Sequence, residues 1–260
     1  MNVIRLGVCA PIEHILAAER AGFDYLEGNL SQIAVLPERS FRTQYALVHE
    51  AGIRCEVMGC MLPRELSVTG RGVNASMLHE YLDLAFDRAT RLGCEVVVFA
   101  SAGARQVPEG WPVDVAWRQL ANFLRMVERH ATDYNLLVGV EPLSRGECNL
   151  LYSVAEATLL CSILQLNHVR VMADTYHMAM EHESMESLAM AGPLLCHVHT
   201  ANALGRTFPR PGDGEDYPKL FQALAGMGYQ GRVSVEAGYD NFEEEALVAY
   251  QVLDRARRGI

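Results

Sequence analysis

Four short apolar runs in the second half of the chain each end in a carboxylate or an imidazole. Glu141 closes LLVGVE, Asp174 closes VRVMAD, His199 ends LCHVH and Glu236 closes RVSVE. The intervals between them are 33, 25 and 37 residues, each about one strand-helix unit. Apolar runs of this length read as strands buried on both faces. An acid at the end of such a strand is costly to bury unless it meets a cation or a rim of solvent. If the four ends point to one place, they form a cage of three carboxylates and one imidazole. That donor set suits one divalent metal ion, manganese, magnesium or cobalt at least as well as zinc.

Strand-like and helix-like segments alternate from end to end. Strands are expected near 3–9, 23–28, 53–59, 95–101, 136–141, 168–174, 195–199 and 232–236. Between residues 73 and 93, Leu78, Leu82, Ala85, Ala89 and Leu92 recur at helical spacing, with Gly93 as a stop. Trp117, Leu120, Leu124 and Val127 repeat the pattern. The last helix is expected to open at Asp240, with Glu243 completing a capping box. It runs into Arg255, Arg257 and Arg258, the charge order that the helix dipole favours. Eight such units in 260 residues predict an α/β fold, a single (β/α)8 TIM barrel spanning residues 1–260 as one domain. The rival is a doubly wound open sheet. A dinucleotide-binding sheet of that kind needs a glycine-rich turn after the first strand, and the turn here is CAPIEH. In a barrel, catalytic residues come from the carboxyl ends of the strands, and the four candidates end strands 5 to 8.

The flanking residues fill out the site. Pro142 holds Glu141 extended at its strand end. Asp174 has two readings, an N-cap for the next helix or a ligand. His177, three residues on, would point back at the site from the first helical turn. His197 and His199 share one strand face, so His199 is the better ligand and His197 lies deeper in the barrel. Arg145, Glu147 and Arg206 lie in adjacent loops, where substrate contacts are expected. The segment 205–217 either holds a phosphate or forms a turn-rich lid. Residues 60–74 and 203–216 are the two lid candidates.

Composition excludes several classes. A net charge of −10 disfavours binding to nucleic acid or to anionic membrane. No apolar stretch reaches the roughly 18 residues of a membrane span. The first residues lack the basic and apolar regions of a signal peptide. Seven cysteines without a CxxC pair read as reduced core thiols, and the expected location is the cytoplasm. None reads as a nucleophile; Cys148 is the one to watch, because it lies near the proposed site. The only lysine is Lys219, so no Schiff-base lysine is available at a strand end.

EPLSRGECN, ADTYHM, the HVHTAN…GR…PG.G segment and VSVE, in that order, resemble the xylose isomerase-like barrels. Within them the chain is most similar to the sugar-phosphate isomerase/epimerase group, which includes the ketose 3-epimerases and hydroxypyruvate isomerase. The resemblance implies Glu141, Asp174, His199 and Glu236 as metal ligands, and Glu147, His177 and Arg206 as contacts to substrate oxygens. One departure stands out. The epimerases tend to have His-x-Gly-Glu-x-Asn-Arg after the metal histidine, whereas Arg206 here follows Asn202-Ala203-Leu204-Gly205. The implied function is a metal-dependent isomerase or epimerase of a sugar or sugar phosphate, working by proton transfer through an enediolate. Glu141 and Glu236 would be its acid/base pair. By analogy the chain would pair as a homodimer or homotetramer. The alternatives are dehydration of a keto-inositol or related substrate, and sugar binding without turnover. A more distant one is DNA repair of the endonuclease IV type, which needs three zinc ions and histidines that strands 3 and 4 lack.

Overall fold

The computed structural model describes residues 4–259. Eight parallel strands close into a barrel in sequence order. They are β1 (Arg5–Cys9), β2 (Tyr25–Asn29), β3 (Arg54–Gly59), β4 (Val96–Phe99), β5 (Leu137–Val140), β6 (Val169–Asp174), β7 (Leu195–Thr200) and β8 (Arg232–Val235). Closure is made by β1 against β8, in the register Arg5–Arg232 to Val8–Val235. This is the (β/α)8 barrel and excludes the open sheet. The first strand was expected to begin at residue 3, which lies outside the described residues.

The outer ring carries α1 (Ile15–Ala21), α2 (Leu30–Ala34), α3 (Glu38–Glu50), α4 (Ala75–Arg91), α5 (Ala102–Arg105) and α6 (Val113–Tyr134). It continues with α7 (Val154–Leu164), α8 (Thr175–Met180), α9 (Ser187–Ala191), α10 (Tyr217–Gly226) and α11 (Phe242–Arg258). The helical spacing in 73–93 places Leu78, Leu82, Ala85 and Ala89 of α4 in the core. The start of α11 differs from expectation by a residue. Asn241 is the N-cap, and Glu245 rather than Glu243 reaches back, its Oε1 accepting from the amides of Asp240 (2.7 Å) and Asn241 (3.0 Å).

Two apolar layers hold the barrel. One lies between sheet and helices and runs through the whole ring. The other fills the barrel itself with Tyr25, Val57, Val96, Val98 and Met172. The Tyr25 ring needs Gly7 beside it, because a Cβ there would sit 2.2 Å from the ring. The lumen is therefore solid up to His197 and Ser234, and the mouth opens only above them.

Candidate active site at the barrel mouth

The strand ends bring the four predicted residues together. One donor atom each from Glu141, Asp174, His199 and Glu236 lies within 4.8 Å of the other three. Asp174 ends β6 and pairs in register with His199 of β7. Glu141 and Glu236 each stand one residue past a strand, their amides bonded to Phe99 O (3.3 Å) and Thr200 O (3.1 Å). Glu141, Asp174 and His199 are each 1% exposed. Both carboxylate oxygens of Glu141 are buried without a hydrogen-bond partner. Buried carboxylate oxygens in that condition are rare and want a cation or a proton. Three carboxylates and an imidazole with two free oxygens among them fit a divalent, oxygen-preferring ion.

The two oxygens of Asp174 have different surroundings. Oδ1 caps α8 by accepting from the Tyr176 amide at 2.9 Å. Oδ2 faces the cage and accepts from Arg206 Nη2 at 3.0 Å. Burial, then the charges of Glu236 and Glu141, push its carboxyl up to about 8. Burial also raises Glu141. Glu236 goes the other way. Burial opposes its ionisation, but His199 and Arg206 override that and hold it at about 2. Three neighbouring acids thus have their proton affinities pushed apart, the arrangement that separates acids from bases in one site.

His177 is buried, and burial followed by the Arg206 charge pulls it down to about 3, so it is neutral. Its Nδ1 accepts from the Ser144 amide at 3.2 Å, which leaves the proton on Nε2. Nε2 has no hydrogen-bond partner and lies 3.7 Å from Asp174 Oδ2 and 4.0 Å from Glu147 Oε2. A buried donor is therefore aimed into the cavity. Arg206 reaches the cage despite its unusual spacer. Gly205 (φ +83°) and Arg206 (φ +49°) take left-handed conformations, and Asn202 and Thr207 pair across the turn. The guanidinium then donates to Asp174, Glu236 and Glu147 and lies 4.5 Å over the Tyr176 ring.

A cavity of about 540 Å³ opens above the cage. Glu141, Glu147, His177, Arg206 and Glu236 line it, opposite Asn29, Cys60, Arg64 and Ser101. Cys60 and residues 62–65 of the first lid candidate line it, as does Arg206 of the second. Cys60, Ser101 and Arg206 all hold positive φ at this rim, where strain is commonly stored.

Other expectations fall elsewhere. Arg145 turns away, bonding Glu181 and stacking 4.1 Å over Tyr152. Arg210 is tied to Glu245 on α11 at 2.7 Å, so its guanidinium serves that helix and not a phosphate at the cage. Cys148 is buried away from the cavity lining. Cys9 and Cys60 are the thiols near the mouth; burial raises both, Cys60 to about 12, which removes them as nucleophiles.

One residue went unread in the sequence. Glu27 of β2 is 1% exposed and sits beneath the cage, accepting from His197 Nε2 and His199 Nε2 at 2.9 Å each. Burial opposes its ionisation, but the two imidazoles hold it well below the usual carboxylate range. Its signal was an acid inside YLEGN on the same strand face as Tyr25, with no helix end or solvent in reach.

Fold and site together define a (β/α)8 barrel with a carboxylate-rich mouth. The match to the xylose isomerase-like TIM barrel family extends over residues 15–257, and the chain belongs to that family. It is 32% identical over 136 residues to a D-psicose 3-epimerase of Agrobacterium fabrum, a match covering 48% of this chain and 46% of that protein. It is 26% identical over 234 residues to a D-psicose 3-epimerase of Ruminiclostridium cellulolyticum, covering 86% and 76% of the two chains. The chain thus matches a little under half the length of the first relative and about three quarters of the second. A D-allulose 3-epimerase structure from Methylomonas sp. superimposes with a TM-score of 0.85 at 20% identity, covering 98% of both chains. Among the described residues no helix is long and apolar enough to cross a membrane.

Proposed function

We propose that the chain is a divalent-metal-dependent epimerase that inverts a carbon next to the carbonyl of a sugar by proton transfer. The observation that carries this reading is Glu141, whose two buried oxygens have no hydrogen-bond partner and face the same cavity as the ionised Glu236. Similarity to relatives named as epimerases supports it.

Glu141, Asp174, His199 Nδ1 and Glu236 would hold one ion of manganese, magnesium, cobalt or zinc. When bound, that ion supplies Lewis-acid stabilisation of negative charge developing on substrate oxygen. The rest falls to side chains. Glu236, held ionised, is the base that takes the proton from the carbon beside the carbonyl. Glu141 returns a proton to the opposite face of the same carbon. The neutral Nε2–H of His177 donates to a substrate oxygen without contributing charge. Arg206 and Glu147 bind neighbouring hydroxyls. The site holds no lysine, in keeping with proton rather than hydride movement.

Proton NMR in deuterated water, with manganese-loaded protein and a panel of ketoses and keto-sugars, tests this. One epimer should form, with solvent deuterium at the inverted carbon. Glu141→Gln and Glu236→Gln should each lose about three orders of magnitude in rate. Near-native turnover in either variant overturns the two-base assignment, and water loss in place of inversion overturns the reaction class.

A further inference from the structure

We propose that Glu27 is a positioning residue for the cation site: its two oxygens fix His197 and His199 as Nε2–H tautomers, so His199 presents a bare Nδ1 to Glu141, Asp174 and Glu236. This rests on the metal-dependent reading above, and concerns the cation-loaded protein.

Proton counting leads there. Glu27 Oε1 lies 2.9 Å from His199 Nε2, and Oε2 lies 2.9 Å from His197 Nε2. Each bond needs one hydrogen, and an ionised carboxylate has none to give. Both hydrogens therefore sit on imidazole Nε2. A neutral imidazole with Nε2–H carries a lone pair on Nδ1. For His199 that atom is 3.2 Å from Glu236 Oε2 and 3.7 Å from Glu141 Oε1. A lone pair facing two carboxylates repels them unless a proton or a metal ion lies between; without metal a proton on Nδ1 bonds Glu236, and a bound ion takes that proton's place.

His197 fits the same assignment. Its Nδ1 is buried without a partner, and an orphaned acceptor is tolerated better there than an orphaned N–H. The pair is braced from below by Ser234 Oγ, 3.3 Å from His197 Nε2, and by Tyr25 OH, 2.8 Å from that hydroxyl. A hydrogen-bonded line thus crosses the lumen from Tyr25 to the cage through β8, β7 and β2. Cys9, Glu27 and His199 also lie close enough to form a ligand group of their own. Each Glu27 oxygen accepts from an imidazole N–H, which is the orienting role assigned to it.

Glutamine at position 27 has one acceptor and one NH2 group. It faces one imidazole with a donor and forces that ring to move its proton to Nδ1. The test is manganese affinity of Glu27→Gln and His199→Ala by titration calorimetry, without substrate. Glu27→Gln should bind about 10- to 100-fold more weakly than wild type. Wild-type affinity in His199→Ala overturns the metal site itself. Loss in His199→Ala with wild-type affinity in Glu27→Gln overturns this inference alone. If Glu27→Gln does not fold, nitrogen-15 histidine NMR of zinc-loaded wild type decides. A proton on His199 Nε2 and none on Nδ1 is expected; a proton on Nδ1 overturns the assignment.

Discussion

Raising the pH should destabilise the chelator-treated protein between about pH 6.5 and 8, and Asp174 should account for a large part of the loss. Burial and the charges of Glu236 and Glu141 move this carboxyl from 3.8 to about 8. A folded-state value above the unfolded one means that the native chain keeps a proton the unfolded chain has released. Stability then falls with rising pH across the gap, by about 1.4 kcal/mol per unit. Below 6.5 the slope is opposed by His177, which burial pulls to about 3, because there the unfolded chain takes up a proton that the native chain refuses. Above 6.5 that opposition ends. His199 then acts in the same direction as Asp174. Burial lowers it, but Glu27 and Glu236 prevail and hold it well above 6.5, so its stabilisation is complete below 6.5 and lost as pH rises. Over about one and a half pH units Asp174 alone is worth roughly 2 kcal/mol, or about 4–8 °C in Tm for a chain of this size. Thermal unfolding by circular dichroism at pH 6.5, 7.25 and 8 in EDTA measures it. Asp174→Asn should lose about half of the fall, His199 supplying the rest. Saturating manganese should reverse its sign, because ligands must shed protons to bind the ion. A melting temperature that is flat or rising in EDTA, or an unchanged fall in Asp174→Asn, refutes the reasoning.

Arg206→Ala should move two constants in opposite directions. Loss of a cation bonded to Asp174 and Glu236 should tighten manganese binding about tenfold while KM for the sugar rises by a similar factor, and calorimetry with kinetics would show both moving together if the idea is wrong. Arg105→Met should cost about 2–4 kcal/mol by denaturant melting and also weaken metal binding, because this fully buried guanidinium donates to the carbonyl oxygen of Glu141; unchanged metal affinity would sever that link. Gly7→Ala should destabilise by about 1–3 kcal/mol, since its Cβ would strike the buried Tyr25 ring, and an unchanged Tm would mean that the lumen has slack.

The barrel was legible because parallel strands covered on both faces are written as unbroken apolar runs, and their ends are written as the residues that break them. All eight strands lie within two or three residues of the expected ends. The two-residue period put His197 and His199 on one face, with His199 nearer the carboxyl end, and both are buried. Asp174 taken alone carried two readings, an N-cap or a ligand, for a reason that the structure makes concrete. A carboxylate has two oxygens, and here one caps a helix while the other faces the cage. Arg206 and Glu27 show the limits of reading along the chain. The position of Arg206 depends on two successive left-handed residues, which a spacer of Asn-Ala-Leu-Gly does not announce. Glu27 finds its partners 170 and 172 residues away, across a barrel that must close before the pairing exists. The acids and the imidazole at the strand ends can be read because each is anomalous in its own strand. Glu27, bonded to two imidazoles, is anomalous too, but its partners stand on β7, far along the chain. Its role is a property of closure, and closure is set by the register of β1 on β8, which no local pattern carries.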